Sequence, residues 1–392
     1  MNYKKYVLAF GFLLSLTQCT RSGNSTQLFA LFEEVWNFRL EEDPLFATAA
    51  GYHQFDDKLP SIGVQNEERR ANFSREVLQR LARIDPQTLN ARDQVNYEIF
   101  RRLQEQRVAA FEHETYWIPF NVDSGFHISF ARLPRRVPLA TVQDYENYVA
   151  RLRGFSAYVD QHIDLLREAY QKSITLPRIV LEGYEVPIKS HIVEEVEESI
   201  FYVPFVEFPP SILATEQARL KEAGARAIRE HIVPGYREFL GFMVNEYIPN
   251  ARSTVGASDL PMGLKYYEHL IRHFTTVDIS AEEIHRLGLQ EVERIRLEMT
   301  DVIEKLKFPG SFADFLKFLR TDERFYPKTP EQLLKEASFI AKRMDGKLPL
   351  LFKTLPRLPY SIMPVPDDLA PKYTGGRYIR APLESNQPGY YW

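Results

Sequence analysis

Ser280-Ala-Glu-Glu-Ile-His-Arg-Leu-Gly-Leu-Gln-Glu-Val-Glu-Arg-Ile-Arg-Leu-Glu-Met-Thr-Asp-Val-Ile-Glu-Lys-Leu306 is the stretch that sets the fold class. Ser280 with Glu283 three residues on is a capping-box start. There the hydroxyl accepts from a backbone N–H of the first turn, and the carboxylate reaches back to the capping residue's own N–H. Ile284, Leu287, Val292, Ile295, Met299, Ile303 and Leu306 then follow at helical spacing. They predict about six turns with one apolar face.

The same grammar recurs on either side. Leu28, Leu31, Phe32, Val35, Trp36 and Leu40 share a helical face, and the runs 68–84 and 93–108 are also amphipathic. Thr141 and Asp144 open a helix that carries Tyr145, Tyr148, Val149 and Leu152, with a break expected at Gly154 before a second run to Tyr170. Pro177 is expected to start a helix over 178–185. A long helix over 212–248 is expected to kink or end near Val233-Pro234-Gly235, with His231 capping that end. Thr329-Pro330-Glu331 opens another helix.

Between these lie an aromatic, proline-rich segment over 115–139, read as a long packed loop or irregular strand, and the acidic run Val193–Glu198, read as a solvated helix face. From Leu355 the pattern becomes extended, with strands over 358–366 and 376–382 and a last one starting near Gly389. The fold class is therefore mainly α, with a few strands near the C-terminus in an incomplete sheet. The closing Gln387-Pro-Gly-Tyr-Tyr-Trp392 ends on three aromatic residues and reads as a strand cut short.

Composition narrows the function. Of 392 residues 44% are hydrophobic and 26% charged, a globular balance with material for one large core or two smaller ones. Lys plus Arg number 49 against 53 Asp plus Glu, and a net charge of -4 gives no global positive field for nucleic acid.

Lys4 and Lys5 precede an apolar run from Val7 to Leu16, too short to span a bilayer, which ends at Leu16-Thr17-Gln18-Cys19. This resembles a bacterial lipoprotein signal, with Gln18 where a small residue is usual and Cys19 as the lipidated first residue of the mature chain. The alternative is a secretory signal with a chance cysteine. Cys19 is the only cysteine, so no intrachain disulfide is available to the mature protein. The expected organisation is a signal over 1–19, a polar tether over 20–26 and a helical domain over 27–392.

Searching for chemistry returns little. No Gly-x-Ser-x-Gly elbow, phosphate-binding glycine loop or dinucleotide fingerprint is present. His269 and His273, four apart, could face one zinc ion, with His285 or Glu291 as a third ligand. Leu270 nevertheless stands where the catalytic Glu of a metalloprotease motif would be, so packed or polar helix histidines are the plainer reading. His113-Glu114 cannot extend to that motif because position 117 is Trp.

Several separated blocks point to one family. They are Asp259-Leu-Pro-Met-Gly263 with Tyr267, Arg272-His273-Phe-Thr-Thr276 and Ile284-His285-x-x-Gly288; Asp43-Pro-Leu-Phe-Ala-Thr-Ala-Ala-Gly51 with Asp56-Asp57; Asp144-Tyr-x-x-Tyr148 to Arg151-Leu152; and Leu176-Pro177-Arg178. In this order the chain, from about residue 26 to its end, resembles the bacterial family known as domain of unknown function 885. The resemblance implies a mostly helical envelope protein of gluzincin-type zinc metallopeptidase character with peptides as substrate, while the Cys19 signal implies membrane attachment through a lipid anchor only. The resemblance further implies that a segment like Gln387–Tyr391 leads through more strand to a His-Glu-x-x-His helix that binds the zinc of full-length members. No position here matches that helix, so no catalytic or metal residue carries over. The expectation is a chain truncated at its C-terminal end and inactive alone. The alternatives are a non-catalytic lipoprotein that binds peptides or a partner in a helical groove, and a self-contained zinc site on His269 and His273.

Overall fold

The computed structural model describes residues 23–121, 124–365, 370, 375–381 and 388–392. Cys19, the signal and the start of the tether lie outside them. Helices dominate: α1 (Gly23–Glu42), α2 (Pro44–Ala49), α3 (Val64–Leu81), α4 (Ala91–Glu112), α5 (Phe126–Phe130), α6 (Val142–Gln171) and α7 (Val186–Lys189) come first. They are followed by α8 (Ala214–Ala227), α9 (Val233–Phe242), α10 (Ile248–Asn250), α11 (Gly263–Thr275), α12 (Ala281–Lys305), α13 (Phe312–Thr321), α14 (Pro330–Asp345) and α15 (Leu348–Leu351). Strands β1 (Tyr360–Ile362), β2 (Tyr378–Ile379) and β3 (Gly389–Tyr391) form a small sheet in the order β1-β3-β2. The central β3 runs parallel to β1 and antiparallel to β2.

The capping signals are realised. Thr141, Ser280 and Ser311 each form a reciprocal capping box, and Thr329 caps α14 with Pro330 behind it. The central helix is α6, whose Tyr145, Tyr148, Leu152, Phe155, Val159 and Leu166 are buried against the α8–α10 rod and the connecting turns. Burying side chains of this size contributes roughly 1.5–3 kcal/mol each, which makes α6 the spine of the larger core. A second core joins α1, α3 and α4 through Leu28, Leu31, Val77, Leu81 and Phe100.

Local expectations fail where packing outweighs propensity. Helix α6 passes through Gly154 unbroken, because the flanking Leu152 and Phe155 are buried, while a glycine in a helix interior costs only about 1 kcal/mol. Pro234 does not end its helix either. The five-residue π-turn Ile228–Ile232 widens the backbone just ahead of it, and a second π-turn, Met243–Tyr247, precedes Pro249. Widening the turn displaces the carbonyl that a proline ring would strike. His231 accordingly sits inside a continuous rod and caps nothing.

Residues 115–139 coil into short helical turns at Thr115–Trp117, Phe126–Phe130 and Leu133–Arg135 rather than a loop. The acidic run 193–198 lies on bends and one 3-10 turn, Val196–Glu198, rather than on a long helix. The turn after Pro177 stops at Leu181, where Glu182 turns extended and Gly183 takes a positive φ of 73°.

Candidate functional site: an arginine-rich groove

Two of the sequence blocks meet at Arg151, which is fully buried on α6. Its Nη2 donates to the Pro44 carbonyl at 3.0 Å, the Thr48 hydroxyl at 2.7 Å and the Phe55 carbonyl at 3.1 Å, and its Nε to the Lys58 carbonyl at 2.9 Å. Asp56 lies 3.8 Å away, accepts a hydrogen bond from the Thr48 hydroxyl and pairs with His53. Burial lowers the Arg151 pKa to about 10, opposed by the charges of Asp56, Asp57 and Asp43. The guanidinium stays charged and fastens the 43–58 loop to the spine.

Arg178 works in the same way, donating to the carbonyls of Pro249 and Ala251. Gly263 belongs to this group, because a Cβ there would sit 2.0 Å from the Ala257 carbonyl oxygen. These blocks are architectural.

Beside the Arg151 tie a cavity of about 820 Å³ opens between α1–α4, the 115–137 turns and α6. Its walls mix aromatic rings with guanidinium groups. Arg70 is neutralised by Glu42 at 2.9 Å and Glu67 at 2.6 Å. Arg39 instead lies over the Phe46 ring at 3.6 Å.

Arg107 opens into the groove with no carboxylate partner among the described residues, and the surrounding protein mass, then the Arg39 charge, lower its pKa. Arg136 is lowered likewise, by burial first and then by Arg132. The groove's inner wall is His162, 5% exposed, with its ring stacked 3.9 Å from Phe126.

Among the described residues neither ring nitrogen of His162 nor of the adjacent His127 has a hydrogen-bond partner. Burial pushes both pKa values down to about 3, with the neighbouring His191 assisting at His127 and His127 at His162. Both are neutral at pH 7. Tyr116, on the same wall, is pushed up to about 12, mainly by burial.

His269 and His273 share α11 with ring centroids 6.1 Å apart. What faces His269 is His113, the residue at the end of α4 that local spacing had set aside, stacked at 4.6 Å. Burial first, then the charges of His113 and His273, lower the His269 pKa. Glu291 is paired with Arg294 on the exposed α12, where His285 is also exposed.

Among the described residues no three His, Cys, Asp or Glu side chains converge as a metal cage. The donors present therefore do not fit a zinc centre, which needs about three protein ligands around one point. Sequence reasoning missed Arg39, Arg107, Arg136 and His162. They are scattered over 39–162, and each alone reads as an ordinary surface arginine or core histidine.

The model of the bacterial family described as protein of unknown function (DUF885) matches residues 44–392, and the chain belongs to that family. Among solved structures it is similar to "the putative lipoprotein from Colwellia psychrerythraea", with a TM-score of 0.84 at 19% identity. The match covers 95% of this chain and 67% of that one. At that identity the likeness shows the fold. No curated protein matches. No helix among the described residues is long and apolar enough to cross a membrane.

Proposed function

We propose that this protein is a peptide-binding lipoprotein with a peptidase-type framework, held at the bacterial envelope through lipidated Cys19. The supporting observation is the groove. At about 820 Å³ it has the size of a short-peptide site, and it joins an aromatic wall to a few charged groups in the manner of ligand pockets. The peptidase framework rests on the family resemblance, in which zinc supplies an activated water to hydrolysis. The donors described above do not fit that metal, so no hydrolytic step is assigned to this chain. The groove binds and the chain does not cut.

Equilibrium dialysis of the purified chain against the tetrapeptide Ala-Ala-Ala-Phe, followed by mass spectrometry, tests this. Retention of intact peptide is expected. Absence of retention removes the binding reading, and recovery of cleaved fragments restores the hydrolytic one. Labelled palmitate should enter the protein in bacteria and be lost in Cys19→Ser.

A further inference from the structure

Of the eight arginines on α3 and α4, Arg102 donates to the Arg272 carbonyl at 3.1 Å and Arg92 shows no ion pair among the described residues. Arg69, Arg70, Arg75, Arg80 and Arg101 are each matched by a glutamate, at 2.6–3.1 Å in their shortest contacts. Arg107, one and a half turns beyond Arg101 on α4, has no carboxylate partner among the described residues, and the charge that bears on it is the like charge of Arg39 from α1. Both guanidinium groups are exposed and line the same groove, so an anion that enters it can reach either one.

We propose that the Arg39–Arg107 wall is the anion-binding end of the groove and takes the free α-carboxylate of a peptide. This rests on the peptide-binding reading above and names the part of the peptide that is recognised.

Three features favour a carboxylate over a more highly charged anion such as phosphate. Glu42, Asp43 and Glu67 stand in the same groove and oppose excess negative charge. Phe38, Phe46, Phe111 and Tyr116 surround the arginines with ring surface, which suits a terminal residue with an apolar side chain. Arg39, already engaged with Phe46, is oriented by that stacking and presents the planar fork that matches a carboxylate. The inner wall is the enclosed ring of His162, 5% exposed and stacked on Phe126.

The test is calorimetric titration of the full chain with Ala-Ala-Ala-Phe as free acid and as C-terminal amide, repeated for acid in the presence of inorganic phosphate. The acid should bind at least about ten-fold more tightly than the amide, as expected for loss of a charge-assisted hydrogen-bonded pair. The Arg39→Gln, Arg107→Gln variant should lose that preference, while Arg107→Lys should keep part of it. Because the acid-to-amide ratio is read within each protein, a fractional loss of folded material cancels.

Equal binding of acid and amide by the native chain overturns the inference and leaves the groove a peptide site. Displacement of the acid by phosphate at matching concentrations overturns it in favour of a phosphate-type ligand. If neither peptide binds, this inference and the function on which it rests fall together.

Discussion

Two amphipathic helices, α6 and α12, carry similar apolar stripes and the same type of capping box, yet they end in opposite environments. Leu152 on α6 is 0% exposed, whereas Leu297 on α12 is 67% exposed, and of the α12 residues only Ile303 is buried. In the body over 23–275 the apolar side of α6 is covered by the larger core. The arm from residue 277 onward packs mainly through its own ring cluster of Phe308, Phe315, Phe318 and Phe325. An apolar stripe thus specifies that a helix forms, and what covers it decides how much stability it yields.

Alanine substitutions should expose this difference most strongly. Leu152→Ala should lower unfolding stability by about 2–5 kcal/mol through the cavity it leaves. Leu297→Ala should stay within about 0.5 kcal/mol. Denaturant melts of the two variants check the pair, and equal losses would mean that the α12 face is covered in solution.

Acid provides the next contrast. His127 and His162 have folded pKa values near 3 against an ordinary 6.5, so the unfolded chain binds protons first as pH falls. Their contribution is present above about pH 6.5 and is lost progressively down to pH 3, at roughly 1.4 kcal/mol per pH unit for each histidine. The arm's one histidine, His285, is exposed. Melting temperatures measured from pH 7 to pH 4 should fall more steeply for the native chain than for His127→Phe, His162→Phe.

The smallest contrast lies in two helical glycines. A Cβ at Gly224 would stand 2.3 Å from the Phe205 ring, so Gly224→Ala should cost about 1–3 kcal/mol by overpacking. A Cβ at Gly288 meets nothing within 4 Å, so Gly288→Ala should gain about 0.5–1 kcal/mol of helix propensity. Thermal shifts of opposite sign are expected, and a loss at Gly288 would reveal a partner on α12.

Much of the helical layout was legible because caps and apolar periodicity act within a few residues. Thr141, Ser280 and Thr329 start helices as read, and β3 begins at Gly389. The errors were local signals overruled at longer range. Gly154 is carried by the packing of its neighbours, and Pro234 is absorbed by a π-turn. The groove was illegible for a related reason. Arg39 and Arg107 lie 68 positions apart, and nothing near either one in sequence distinguishes an unmatched arginine from the matched Arg80 or Arg101.

The sequence by itself determined the mainly α class, most helix starts and the strands near the C-terminus, since these follow from backbone preferences and side-chain spacing over a turn or two. Only the tertiary structure decided that Arg151 would be buried as a tie between loops, that His113 would face His269, that α6 would be covered and α12 left open, and that two like charges would share a groove wall. Those outcomes depend on which distant segments meet, and long-range contacts and charge pairing are set by the packed whole.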